Sequence, residues 1–177
     1  MASGYNGVFG AFPYAFRQSR SRLFKSYVVC SALAVAFISL FIVIALIVLV
    51  GQTAAIQGGQ LTLSRAFYIV VGLLVILPAV APTLVVARRH RRGIESSPRY
   101  EVALAIAGYL FLLSLYLGAV ASMPETFVLD GETVARPAPT GLFAPVISLL
   151  YAIPQAFSWS VPLVGALLVA AAHKLFG

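Results

Sequence analysis

The chain has 177 residues, of which 61% are hydrophobic and 10% charged, and its mean hydropathy is +0.99. Soluble domains are about 45–50% apolar and about 25% charged, and a chain this short could not hide so much apolar surface in one aqueous core. Low charge, aperiodic glycine and a single cysteine also exclude a disordered, collagen-like or disulfide-stapled chain, which leaves a small integral membrane protein.

Residues 1–26 form an N-terminal segment that mixes glycine, arginine and the aromatics Tyr5, Phe9, Phe12, Tyr14 and Phe16. Aromatic rings favour the headgroup level, so this segment is expected to lie on the inner membrane surface. Its glycines and Pro13 leave a disordered tail as the alternative. A single transmembrane domain is expected over 27–177. Its first apolar run, Tyr27 to Val50, carries no charge. A cleaved signal peptide would suit the basic flank (Arg17, Arg20, Arg22, Lys25) and the small residues Thr53, Ala54 and Ala55. The run is longer than the roughly 7–15 residues of a signal core, so an uncleaved signal anchor is expected.

The loop Gly51 to Arg65 is polar, and Thr62 or Ser64 is placed to cap the next helix. The second run is Ala66 to Ala87, with Pro78 and Pro82 one turn apart and expected to bend it. The third is Val102 to Met123. A helix needs about 20 apolar residues to cross a ~30 Å hydrocarbon layer, and all three runs satisfy this. Strands alone in lipid would leave backbone groups unpaired, so the runs are helices.

After the third run, Thr126–Leu129 and Glu132–Ala135 flank Asp130-Gly131. Asp-Gly accepts positive φ at both positions of a type I′ turn, so a small β-hairpin is expected near 126–135. A lone hairpin is marginal in water and should lean on the bundle or on the first loop. The last apolar run, Leu142 to Ala172, would be about 46 Å long as one helix, well beyond the membrane core. The fourth span is therefore placed at about 153–172. Residues 142–153 become an interfacial or re-entrant segment, or a tilted extension, with kinks at Pro154 and Pro162. The fold class is all-α: a polytopic bundle of four transmembrane helices (27–50, 66–87, 102–123, 153–172) carrying a small outer hairpin.

Ten of the twelve Lys and Arg residues lie in the N-terminal segment, the loop between the second and third spans, and the C-terminal tail. With Glu95 and Glu101 included, that side carries +8 and the other −1. The positive-inside rule puts both termini and the central loop in the cytoplasm, in the cell membrane.

The chemistry is marked by absences. The first three spans contain no Asp, Glu, Lys, Arg or His, which argues against a proton-coupled carrier. His90 and His173 fall at the inner boundary and read as interfacial cations or neutral anchors. Cys30 is alone and reads as a small apolar filler; no hydrolase, metalloprotease, P-loop or dinucleotide motif is present. No cofactor or metal site is expected, and no aromatic platform or recognition helix for nucleic acid accompanies the arginines.

Two features carry functional readings. Arg88, Arg89, Arg91, Arg92 and Arg99 could hold anionic lipid headgroups or an acidic partner; the plainer reading is that they set topology. Gln155, Ser158 and Trp159 could line an outer pocket, against the plainer reading of an aromatic-belt residue with polar neighbours. Small residues at Ser114, Gly118 and Ser122, at Ala103 and Ala107, and at Ala166 and Ala170 form stripes that let helices approach. Tyr109 and Tyr116 share a face and need hydroxyl partners.

The head Gly7-Val8-Phe9-Gly10-Ala11-Phe12-Pro13-Tyr14-Ala15-Phe16-Arg17, the segment Leu63-Ser64-Arg65-Ala66-Phe67 and the exit Val86-Ala87-Arg88-Arg89-His90-Arg91-Arg92 resemble small four-span membrane proteins of halophilic archaea that have no assigned function. The resemblance implies fold and location and supplies no active site. The expected function is a non-enzymatic accessory or structural subunit of a membrane complex, in contact with the lipid bilayer and with a membrane protein partner or its own copies. The alternative is a small oligomeric transport or permeation unit; a lipid-acting enzyme ranks third.

Overall fold

The computed structural model describes residues 7–53 and 59–177. Among the described residues, six α-helices and one hairpin follow in order: α1 (Gly7–Gln18), α2 (Arg22–Thr53), α3 (Gly59–Arg91), α4 (Pro98–Ala121), β1 (Thr126–Leu129), β2 (Glu132–Ala135), α5 (Ala144–Tyr151) and α6 (Ser160–Phe176), with a 3₁₀ turn at Gln155–Phe157 before α6. Among the described residues four segments, Arg22–Gln52, Ala66–Arg91, Pro98–Ala121 and Gln155–Phe176, are long and apolar enough to cross a membrane.

The first two expected spans sit inside these helices, while the third (102–123) runs two residues past Ala121 and the fourth (153–172) starts before Gln155, α6 itself beginning only at Ser160. α3 begins at Gly59, so most of the expected loop 51–65 is helical, and Thr62 and Ser64 fall inside the helix instead of at the N-cap expected for them. α3 runs through Pro78 and Pro82 without interruption. The segment 142–153 contains a separate short helix, α5, with Pro145 in its first turn. It stops before Pro154, which has no N–H to continue the backbone ladder. The N-terminal segment is helical from Gly7, not a tail, and buries Ala11 and Ala15 against the bundle.

Asp130 (φ 52°) and Gly131 (φ 86°) both adopt the left-handed conformation that a two-residue turn needs. Thr126 pairs with Ala135 and Leu129 with Glu132 in the antiparallel register. The hairpin leans on α5: the Arg136 guanidinium stacks 4.0 Å from the Tyr151 ring and donates to the Met123 carbonyl at 3.4 Å.

α4 and α6 form the closest helix pair. Ser114 and Gly118 on α4 make this possible. A Cβ on Gly118 would lie 2.9 Å from Pro162 Cδ, and one on Gly165 would collide with Ser114 and lie 3.1 Å from the Phe111 Cα. The rest of the core gathers at the arginine-bearing end. Phe24, Tyr27, Tyr100 and Leu104 are buried there, and the cluster continues to Phe111 in the middle of α4. Gly108 leaves the space that the Tyr27 ring fills, and the Tyr27 hydroxyl donates to the Ala79 carbonyl at 2.6 Å, between the two prolines of α3. Tyr109 stands edge-on to Tyr27 and donates to Ser26 Oγ at 2.9 Å, while Tyr116 stays exposed.

Candidate functional site

The polar groups of the basic end are assembled by the start of α4. Ser97, in extended conformation, accepts from the Tyr100 N–H at 3.2 Å, and Pro98 occupies the first helical position. This is a strong N-terminal stop, and it fixes Glu101 in the first turn, where backbone N–H groups favour negative charge. Glu101 is fully buried. Its Oε2 accepts from Ser19 Oγ at 2.6 Å, the Ser21 N–H at 3.0 Å and the Arg20 N–H at 3.1 Å. One carboxyl group thus collects the donors of the corner between α1 and α2. Its Oε1 has no hydrogen-bond partner among the described residues and lies 3.8 Å from His90 Nε2. The His90 Nδ1–H donates to the Val86 carbonyl at 2.9 Å, which fixes the ring with Nε2 toward the carboxyl group.

A second group lies beside it. The Tyr100 hydroxyl and His173 Nδ1 are 2.7 Å apart, joining α4 to the last turn of α6. The Arg89 guanidinium stacks 4.6 Å from the Tyr100 ring, and its Nε is buried without a hydrogen-bond partner among the described residues. Both histidines, read from sequence only as boundary residues, therefore have specific partners.

Of the five arginines singled out from sequence, Arg88, Arg91, Arg92 and Arg99 project to the surface, and Arg89 turns inward onto Tyr100. The corner of α1 and α2, the arginine turn and the chain's last helical turn share one end of the molecule, as the charge count required: Glu101 touches Ser19 and Ser21, and a Cβ on Gly177 would lie 3.3 Å from an Arg89 nitrogen. Glu101 was counted there only as a loop charge. The signal that could have found it is Ser97-Pro98 followed by an acidic residue in the first turn.

Next to Tyr100 and His173 runs an apolar cleft of about 420 Å³ between α3, α4 and α6. Pro78, Pro82, Leu104, Ala166 and Ala170 supply part of its walls, and His173 closes it. At the hairpin end the three outer-patch residues do not act together. Gln155 lines a pocket of about 250 Å³ with Met123, Glu125, Arg136 and Tyr151, while Ser158 and Trp159 are not among its walls. Trp159 is exposed, and the Ser158 carbonyl instead packs near Gly118.

The fold is a helical one with four candidate membrane-spanning helices, and among the described residues its one buried charged side chain, Glu101, lies at the arginine-bearing end. The sequence model of a family described as a domain of unknown function (DUF8056) matches residues 1–177, and the chain belongs to that family. No curated protein and no solved structure matches it significantly.

Proposed function

We propose that the protein is a non-enzymatic accessory or structural subunit of a complex in the cytoplasmic membrane, with both ends and the arginine-rich turn in the cytoplasm. The observation that carries this reading is the uneven burial of α2 and α3. On α2, burial ends at Ser31; Phe37, Phe41, Ile44, Ile47 and Val48 beyond it are all exposed. On α3, Gly72 is the only buried residue described before Ala79. The far halves of these two helices therefore rest mainly on each other, through Ile42 against Gly72, while α4 and α6 pack along their whole length. A pair of helices extending so far without bundle support offers the lateral surface that helix association in lipid uses, since lipid itself provides no hydrophobic drive for burial. The positive-inside rule supports the orientation, with +8 gathered on the arginine side.

Extraction in mild detergent, with photo-crosslinking from positions 37 and 41 and mass spectrometry, tests the reading. A stoichiometric membrane partner crosslinked through α2 is expected. A homo-oligomer alone would favour the oligomeric transport unit, and a monomer without crosslinks would refute both.

A further inference from the structure

We propose that the cleft between α3, α4 and α6 holds one acyl chain of an anionic phospholipid, with the lipid phosphate against Arg89 and His173. The reasoning begins with how the cleft arises. Ala81, Ala166 and Ala170 line it, and none has a side chain long enough to fill the space between α3 and α6. Pro78 and Pro82 leave the α3 backbone without two of its helical N–H donors on the same stretch. The cleft lies within the size range of ligand pockets, roughly 300–1,000 Å³. Its walls are hydrocarbon until His173, and Leu77 and Ala170 at its edge are exposed, so it opens sideways toward lipid.

Its length and direction match one half of a bilayer. Twelve residues separate Leu77, at the deep end, from Arg89. At 1.5 Å per residue that is about 18 Å, close to the roughly 15 Å of hydrocarbon in one leaflet. A chain lying along the cleft from Pro78 therefore delivers its headgroup to the level of the arginine turn. There the Arg89 guanidinium is held on the Tyr100 ring, with a buried Nε that has no hydrogen-bond partner among the described residues, and His173 is oriented through Nδ1 by the Tyr100 hydroxyl. Arg88 and Lys174 add exposed positive charge to the same end.

Energetics assign selectivity to the headgroup. An acyl chain leaving the bilayer for an apolar cleft exchanges one hydrocarbon environment for another, so the cleft fixes position but does not choose among lipids. The cations do, because each one near the headgroup attracts an anionic lipid. This holds whether or not the far halves of α2 and α3 meet a protein partner.

Native mass spectrometry of the full chain, released from equimolar phosphatidylglycerol and phosphatidylcholine, tests the proposal. Retention of one phosphatidylglycerol at least about fivefold over phosphatidylcholine is expected, and Arg89→Gln should cut that preference by about fivefold. Ala170→Phe, which fills the cleft from an exposed position, should abolish retention of both lipids. A phosphatidylglycerol carrying a photoreactive group midway along its chain should label α3 and α6 peptides of the unmodified protein around Pro78 and Ala170. That arm stands even if Ala170→Phe folds poorly. Equal retention of the two lipids would overturn the proposal. So would retention untouched in a folded Ala170→Phe variant, which would mean surface headgroup binding alone, or labelling that avoids the cleft because a partner helix fills it.

Discussion

Truncating Glu101 tests whether one carboxyl group docks the N-terminal helix. Glu101→Ala removes the acceptor of three donors, two of which, Ser19 Oγ and the Ser21 N–H, belong to buried residues. Both donors keep a longer bond to each other's residue, Ser21 N–H to Ser19 Oγ at 3.2 Å and Ser19 Oγ to the Ser21 carbonyl at 3.4 Å. Each loss therefore falls toward the low end of the about 1–3 kcal/mol for an unpaired buried donor, and the α1–α2 corner should lose about 2–4 kcal/mol, the part-buried Arg20 N–H adding little. Glu101→Gln keeps an acceptor of the same shape and gives up only the charge assistance, and should cost about 1–2 kcal/mol. The assay is amide hydrogen exchange of the detergent-solubilised chain, read residue by residue. At 1.4 kcal/mol per factor of ten, a loss of about 3 kcal/mol speeds exchange at the Arg20 and Ser21 amides roughly 100-fold. Amides in the middle of α4, held by the contact with α6, should change far less. Unchanged exchange at Arg20 and Ser21 in Glu101→Ala would refute the docking role, and equal acceleration throughout α4 would show a global effect instead.

Other substitutions probe packing, the turn and the topology. Gly108→Ala drives a methyl group into the buried Tyr27 ring and should destabilise by about 1–3 kcal/mol in thermal unfolding. Gly51→Ala, where a Cβ meets nothing within 4 Å, should instead stabilise α2 by up to about 1 kcal/mol. Tyr27→Phe loses the hydrogen bond to the Ala79 carbonyl and should cost about 0.5–1.5 kcal/mol in the same measurement. Gly131→Val forces a branched residue into φ 86° and should cost the hairpin about 1–2 kcal/mol; cross-strand NMR contacts between Val128 and Thr133 should vanish while the bundle melts as before. In a Cys30→Ala background, Asp130→Cys should react with an impermeant maleimide on intact cells, and Glu95→Cys only after permeabilisation; the opposite pattern would invert the proposed orientation.

What could be read from the sequence depended on whether the signal was local. The uncharged stretch from Tyr27 to Val50 can only be a helix in lipid, because no other backbone form satisfies its own polar groups there. Asp130-Gly131 specifies its turn through two φ angles. Pro154 forces a break that separates α5 from α6. Ser97-Pro98 marks Glu101 only as a first-turn residue: its burial depends on donors at Ser19 and Ser21, some eighty residues away, which no local pattern shows. The helical N-terminal segment was hidden for the same reason, since Ala11 and Ala15 become a buried face only once the other helices are present to cover them.

The small-residue stripes show most clearly where local reading stops. Ser114 and Gly118 do seat a neighbouring helix, but the residues they receive are Gly165 and Pro162. Ala166 and Ala170, the stripe picked from sequence on the fourth span, turn toward α3 and line the open cleft. Successive helical residues are about 100° apart, so Gly165, Val169 and Ala172 face inward together while the alanines one position on flank them. A small residue permits close approach without enforcing it. On one side of α6 the opposing α4 presents its own small residues and the gap closes; on the other, α3 carries Pro78 and Pro82, and the same economy of side chain leaves room for a ligand.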